Sequence, residues 1–175
     1  VTYVRQYGNT DSVFKKVRFN NDAAWTAYRI GESFLALDNT ADAFDYFSKA
    51  VTLEPYNLAF RNKLGALQMS IGKEEDAAEN FSFIYRENPK YLPALTNLGY
   101  YYLSVEGSSD KAEHFYHDAL ALEPDNEQAQ LNMAGLYIFR KDFKKAKQVL
   151  EAFLKKEPGN MQAKAALKQI EALNK

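Results

Sequence analysis

A chain of 175 residues, 46% of them hydrophobic and 26% charged, can bury a core and is too apolar to be disordered. Its formal net charge of -1 hides an uneven layout: residues 1–30 carry five Lys/Arg against two acids, 31–139 seven against seventeen, and 140–175 ten against four. An acidic middle breaks the continuous basic stripe that a nucleic-acid backbone requires, which argues against nucleic acid as the main partner.

In chain order, residues 1–23 form an N-terminal segment without a clear pattern. Its stretch TDSVFKKVRF reads as a degenerate helix or as an extended linker whose apolar side packs on the first helical hairpin. Val13, Val17 and Phe19 fall where a preceding second helix would place its apolar side chains, but Asn21 stands where a proline is expected. From residue 24 onward four prolines keep one beat, Pro55, Pro89, Pro124 and Pro158, spaced by 34, 35 and 34 residues. Setting each proline at position 32 divides the chain into 24–57, 58–91, 92–126 and 127–160. Position 8 is then Gly31, Gly65, Gly99 and Ala134. Position 20 is Ala43, Ala77, Ala112 and Ala146, and position 24 is Phe47, Phe81, Tyr116 and Leu150. Residues 161–175 come last as an amphipathic helix, with Ala163, Leu167, Ile170 and Leu173 on one side and Lys164, Lys168, Glu171 and Lys175 on the other.

Within each repeat, positions 4, 7, 8 and 11 share one face of a first helix, and positions 20, 24 and 27 share one face of a second. The turns between them are LDNT, IGKE, VEGSS and RKD. A glycine inside a helix costs about 1 kcal/mol relative to alanine. Its recurrence at position 8 therefore points to a partner backbone passing close by. Proline at 32 ends the second helix and turns the chain into the next repeat. Pro93 suits the first turn of the helix it opens, where its missing N–H is not needed.

This pattern resembles the tetratricopeptide repeat, whose period is 34 and whose signature sets small residues at 8, 20 and 27, large ones at 4, 7, 11 and 24, and proline at 32. The resemblance spans residues 24–160. It implies an all-α fold, a right-handed α-solenoid of about four helical hairpins, closed by 161–175 as a capping helix. The chain departs from the signature at position 4 (Ala27, Arg61, Leu95, Gln130) and at position 11, where Gln68 replaces a large apolar residue. It departs again at position 27, where Ile84 and Phe153 are large, and in the third repeat, which carries one extra residue.

No chemistry-bearing constellation is complete. The chain has no cysteine, which removes disulfides, thiolate metal sites and cysteine nucleophiles. A Gly-rich phosphate loop, HExxH and GxSxG are absent. His114 and His117, beside Glu113 and Asp118, have ligand spacing, but two histidines on an outer face make no metal site. No cofactor, metal or catalytic residue is expected.

The resemblance instead implies a concave groove for a protein or peptide partner, lined by positions 2, 5, 6 and 9 of the first helices. Here these give Trp25, Tyr28, Arg29, Glu32, Asn62, Lys63, Asn97, Tyr100, Gln128 and Asn132. Asparagine donates and accepts at once, which suits it to holding a peptide backbone, and tyrosine adds area with a polar tip. Charge along this band is expected to run from cationic at Arg29 and Lys63 to neutral at Asn97 and Asn132. The carboxylate clamp of chaperone-binding family members is not reproduced in this register. Two other roles fit the sequence, an accessory domain of a larger enzyme or membrane protein and a self-assembling spacer. No apolar run reaches the roughly 18 to 20 residues of a membrane span. VTYVRQYGNT lacks the apolar core of a signal peptide. The initial Val suggests a mature product or an excised piece of a longer protein.

Overall fold

The computed structural model describes the backbone of residues 10–173 and the side chains of residues 21–172. Among them it contains only helices: α1 (Thr10–Ala36), α2 (Thr40–Leu53), α3 (Leu58–Ser70), α4 (Glu74–Glu87), α5 (Leu92–Ser104), α6 (Ser109–Leu122), α7 (Glu127–Phe139), α8 (Phe143–Lys156) and α9 (Met161–Leu173). Helical backbone runs without a break from Thr10 into the first repeat, so TDSVFKKVRF is helix rather than an extended linker. The side chains of Val13, Val17, Phe19, Leu173 and Lys175, for which roles were expected, lie outside the described residues.

Helices of 13 or 14 residues are marginal on their own in water, so burial of one face must hold them. The chain divides into two compact units, residues 1–80 and 81–175. In the N-terminal unit α1 and α2 pack as a hairpin, and α2 packs in turn on α3. Ala43 and Phe47 of α2 are buried with Leu64 and Leu67 of α3, and Ala24 and Ala27 are buried with Ala50 and Phe60. In the C-terminal unit α5 pairs with α6 and α7 with α8, while α6 packs on α7 and α9 on α8. Ala163 and Ile170 of α9 are buried with Ala146, Leu150 and Phe153 of α8, and Lys164, Lys168 and Glu171 face solvent.

Position 20 is sealed in every repeat: Ala43, Ala77, Ala112 and Ala146 are each 0% exposed. The close approach at position 8 is made by an aromatic ring, however, not by a backbone. A Cβ added to Gly31 would stand 2.8 Å from the Phe47 ring, and one added to Gly99 would stand 2.3 Å from the Tyr116 ring. Real carbon contacts begin near 3.5 Å. The position 24 ring of the second helix thus lies against the gap that the first helix leaves open.

Several departures from the repeat signature are explained by one another. Arg61 and Gln68, polar residues at apolar positions of α3, meet through Asn80 of α4. Arg61 Nη1 donates to Asn80 Oδ1 at 2.9 Å, and Asn80 Nδ2 donates to Gln68 Oε1 at 2.8 Å. Gln68 and Asn80 are both buried, and burying such groups unpaired would cost roughly 1–3 kcal/mol each. At position 4 the polar side chains also hold the preceding turn. Arg61 Nε donates to the Pro55 carbonyl at 2.5 Å, and in the C-terminal unit Gln130 Nε2 donates to the Pro124 carbonyl at 2.6 Å. The large residues at position 27, Ile84 and Phe153, are simply core.

Turns and caps complete the framework. Each hairpin turn places one residue at positive φ: Asp38 (56°), Gly72 (74°), Gly107 (65°) and Lys141 (59°). Asn57, Asn126 and Asn160 accept from the backbone N–H groups of Phe60, Ala129 and Ala163, closing α3, α7 and α9 at their N-termini. Two glycine substitutions separate packing from propensity within one unit. Gly99→Ala drives a methyl into the Tyr116 ring and should cost about 1–3 kcal/mol. Gly135→Ala, on α7 with nothing within 4 Å of the added carbon, should gain up to about 1 kcal/mol. Urea denaturation of the two variants would read both signs.

Candidate functional site

In the N-terminal unit the first-helix residues form a single aromatic and charged face. Trp25 and Tyr28 sit one turn apart on α1, with ring centroids 5.7 Å apart and planes at 73°. Both reach Phe60 of α3: Trp25 meets it edge-on at 4.8 Å, and Tyr28 stacks on it at 4.9 Å. Tyr28 also lies 5.4 Å from Phe47. The indole is therefore fixed on its inner side, yet Trp25 remains 45% exposed.

The charges beside these rings differ from the expected cationic end of a graded band. Lys63 Nζ lies 3.4 Å from a Glu32 carboxylate oxygen and 5.9 Å from the Phe47 ring centroid. Its charge is spent on joining α3 to α1. Arg29 is exposed and makes no ion pair among the described residues. Asn62 is half-buried on α3.

In the C-terminal unit Tyr100 is 51% exposed on α5, and Asn97 lies half-buried one turn before it. On α7, Gln128 Nε2 donates to Asn132 Oδ1 at 2.8 Å. One acceptor that was expected to be open to a peptide backbone is therefore engaged within the helix. Four residues apart on one helix face, Gln128 and Asn132 stiffen each other, and a partner N–H has to compete for the Asn132 oxygen.

One charged cluster of this unit is invisible to sequence reasoning because its members lie in different repeats. Arg140, which caps α7, donates from Nη1 to Glu113 Oε2 at 2.5 Å and from Nη2 to Asp110 Oδ1 at 2.6 Å. Tyr137 Oη donates to Glu113 Oε1 at 3.4 Å. The Arg140 hydrogen bond holds the Glu113 carboxyl below the usual carboxylate range, and the same bond raises the Arg140 guanidinium. Burial pushes the Tyr137 and Tyr116 hydroxyls up. His114 and His117 are exposed, with Asp118 at 3.5 Å from His114 and Glu113 at 3.8 Å from His117. Among the described residues no group of three or more His, Cys, Asp or Glu could hold a metal. No described helix is long and apolar enough to cross a membrane.

With this geometry in hand, likeness to known proteins fixes the family. Family models described as tetratricopeptide repeat match residues 106–170 and 26–55, together more than half of the chain. The chain is a tetratricopeptide repeat protein. It is 31% identical over 70 residues to human Superkiller complex protein 3 and 23% identical over 154 residues to the human protein O-mannosyl-transferase TMTC3. These stretches take in 40% and 80% of this chain, but only 4% and 16% of the two relatives, so the chain corresponds to a small part of either. Among solved structures, TTC0263, a thermophilic TPR protein of Thermus thermophilus, superposes with a TM-score of 0.77 at 22% identity, over 85% of this chain and 81% of that one. The first TPR of Spaghetti (RPAP3), solved with the HSP90 peptide SRMEEVD, superposes with a TM-score of 0.61 at 18% identity, over 71% and 98%.

The Arg140 cluster yields a pH test. A carboxyl whose folded pKa is depressed stabilises the fold above its unfolded value, about 4.3 for Glu, and loses that contribution as pH falls through the folded value. Wild type should therefore melt higher than Arg140→Met at neutral pH, and the difference should shrink as pH falls from about 5 toward 2. Thermal melts of both proteins across that range would measure it.

Proposed function

We propose that the chain is a non-catalytic module that holds a segment of another protein against its first-helix faces. In the N-terminal unit that face carries Trp25, Tyr28, Arg29, Glu32, Asn62 and Lys63. In the C-terminal unit it carries Asn97, Tyr100, Gln128 and Asn132. The observation that carries this reading is the exposure of large aromatic side chains on these faces, Trp25 at 45% and Tyr100 at 51%. Exposed aromatic area of this kind with polar groups around it is the composition of a recognition surface. The peptide bound to the RPAP3 domain, a protein of the same fold, supports a segment as the partner, without specifying which one.

A second reading is favoured by the share of the relatives that the chain spans, 4% and 16%. In it the same module works as an accessory or assembly domain within a longer polypeptide. The binding chemistry is common to both readings, so one experiment tests it. A photo-crosslinking residue placed at Tyr100 should capture a specific protein, while one placed at Gln148, exposed on the second helix α8, should not. Gln128→Ala with Asn132→Ala should then weaken the captured partner with little change in the melting temperature. Capture from Gln148 alone would move the binding surface off the first helices.

A further inference from the structure

In the later repeats the first helix packs against the second helix of the repeat before it, α3 on α2 and α7 on α6. Position 7 is sealed there, with Leu64, Leu98 and Met133 at 6%, 2% and 3% exposure, whereas Ile30 of the first repeat is only partly buried. In the third repeat part of the cover is an aromatic ring. Tyr85 of α4 packs against the cluster of Leu95 on α5 and meets Phe115 of α6 edge-on at 5.4 Å, and Phe115 is itself stacked on Tyr102 at 5.4 Å. The first repeat holds the same stacked pair at the same positions, Phe34 on Tyr46 at 5.5 Å, but no third ring meets Tyr46 among the described residues. In its place α1 and α2 leave a groove of about 440 Å³ lined by Ala23, Thr26, Ala27, Ile30 and Tyr46. Ala27 and Ile30 lie roughly 140–160° around α1 from Trp25, so this groove is separate from the first-helix face described above.

We propose that this groove is a docking site for a helix of a partner protein, which sets an aromatic side chain against Tyr46. The rest of the chain selects a helix, because wherever the equivalent face is covered the cover is a second helix. It also selects a ring, because the Phe34–Tyr46 stack repeats the Tyr102–Phe115 stack that Tyr85 completes. Ala27 stands where the third repeat has Leu95, which leaves more room for that ring. The chain does not bring a second helix to this face by its usual route. Its links from a second helix to the next first helix are four residues long, 54–57, 88–91, 123–126 and 157–160, whereas residues 20–23, where the corresponding link would fall, are helical. From there α1 carries the backbone on to Thr10, about 20 Å further along its axis. Nor does a second copy offer a suitable helix: α2 and α6 already pack on α3 and α7, Tyr85 of α4 is engaged, and α8 is covered by α9. The outer side of α9 presents Lys164, Lys168 and Glu171, not an aromatic ring.

The probe is a lactam-bridged helical peptide of residues 74–87, the sequence of α4, with either Tyr85 or Tyr85→Ala. The chain has no cysteine, so a fluorophore on Lys49→Cys, beside the groove, reports on this place alone. Titrated into the whole chain, the Tyr85 peptide should change the emission saturably and bind about tenfold more tightly than the Tyr85→Ala peptide, the scale of one well-packed aromatic anchor. Ala23→Phe, which fills the groove, should abolish binding while circular dichroism stays that of wild type. Thr26→Phe, at an exposed residue of the lining, repeats the test should Ala23→Phe fail to fold. Equal binding of the two peptides, no saturable change, or unchanged binding to the filled groove would overturn the proposal. A wild-type dimer in sedimentation equilibrium that Ala23→Phe separates would overturn it in favour of a second copy. Peptide binding that requires removal of residues 1–9 would overturn it in favour of that segment. The first-helix faces are tested separately, by capture at Tyr100.

Discussion

The contact on which the fold depends is a ring laid against a missing side chain. In the first repeat Phe47 occupies the space over Gly31, and in the third Tyr116 occupies the space over Gly99. The glycine weakens its own helix by about 1 kcal/mol. The ring it admits is buried completely, and a fully buried aromatic side chain stabilises the fold by about 1.5–3 kcal/mol. Burial wins, which is why the weakness is tolerated. Because the contact joins the two helices of one hairpin, it sets how closely they approach and hence the angle at which each first helix presents its other side. Trp25 comes directly after Ala24 and Tyr100 directly after Gly99; the small residues are buried and the aromatic ones remain exposed.

The polar interior of the N-terminal unit adds register to this packing. Arg61, Asn80 and Gln68 satisfy each other and the Pro55 carbonyl. A slide of α3 along α4 by one residue would leave buried groups unpaired. An apolar set at the same positions would tolerate such a slide more easily, so the network contributes specificity more than net stability. Gln130 reaches the Pro124 carbonyl in the same manner in the C-terminal unit, and a polar residue at position 4 is thereby tied to the turn that opens its helix.

Much of this was legible in the sequence because the repeat multiplies each signal. Four prolines on one beat and four alanines at position 20 located the hairpins, and all four alanines are sealed. The ring opposite each glycine was not legible as such, since Phe47 and Tyr116 lie 16 and 17 residues downstream and only the hairpin closes that distance. Two hairpin turns advertise their positive φ with Gly72 and Gly107, but Asp38 and Lys141 adopt it without such a mark. For the site, the sequence identified which residues share the first-helix faces, yet not which are occupied. Lys63 looked like a free cation until Glu32 appeared beside it from another helix. Asn132 looked like an open peptide holder until Gln128 filled its oxygen. Pairing between elements is a property of packing, and single positions do not display it.

A double-mutant cycle on Gly99 and Tyr116 addresses the central contact most directly, because it isolates the ring from every other consequence of either change. Stabilities of wild type, Gly99→Ala, Tyr116→Leu and the combined variant would be measured by urea denaturation. If the ring occupies the space above the glycine, the added methyl is costly only while the ring is present, and the two changes should couple by about 1 kcal/mol or more. Strict additivity, with Gly99→Ala costing the same in both backgrounds, would contradict the account.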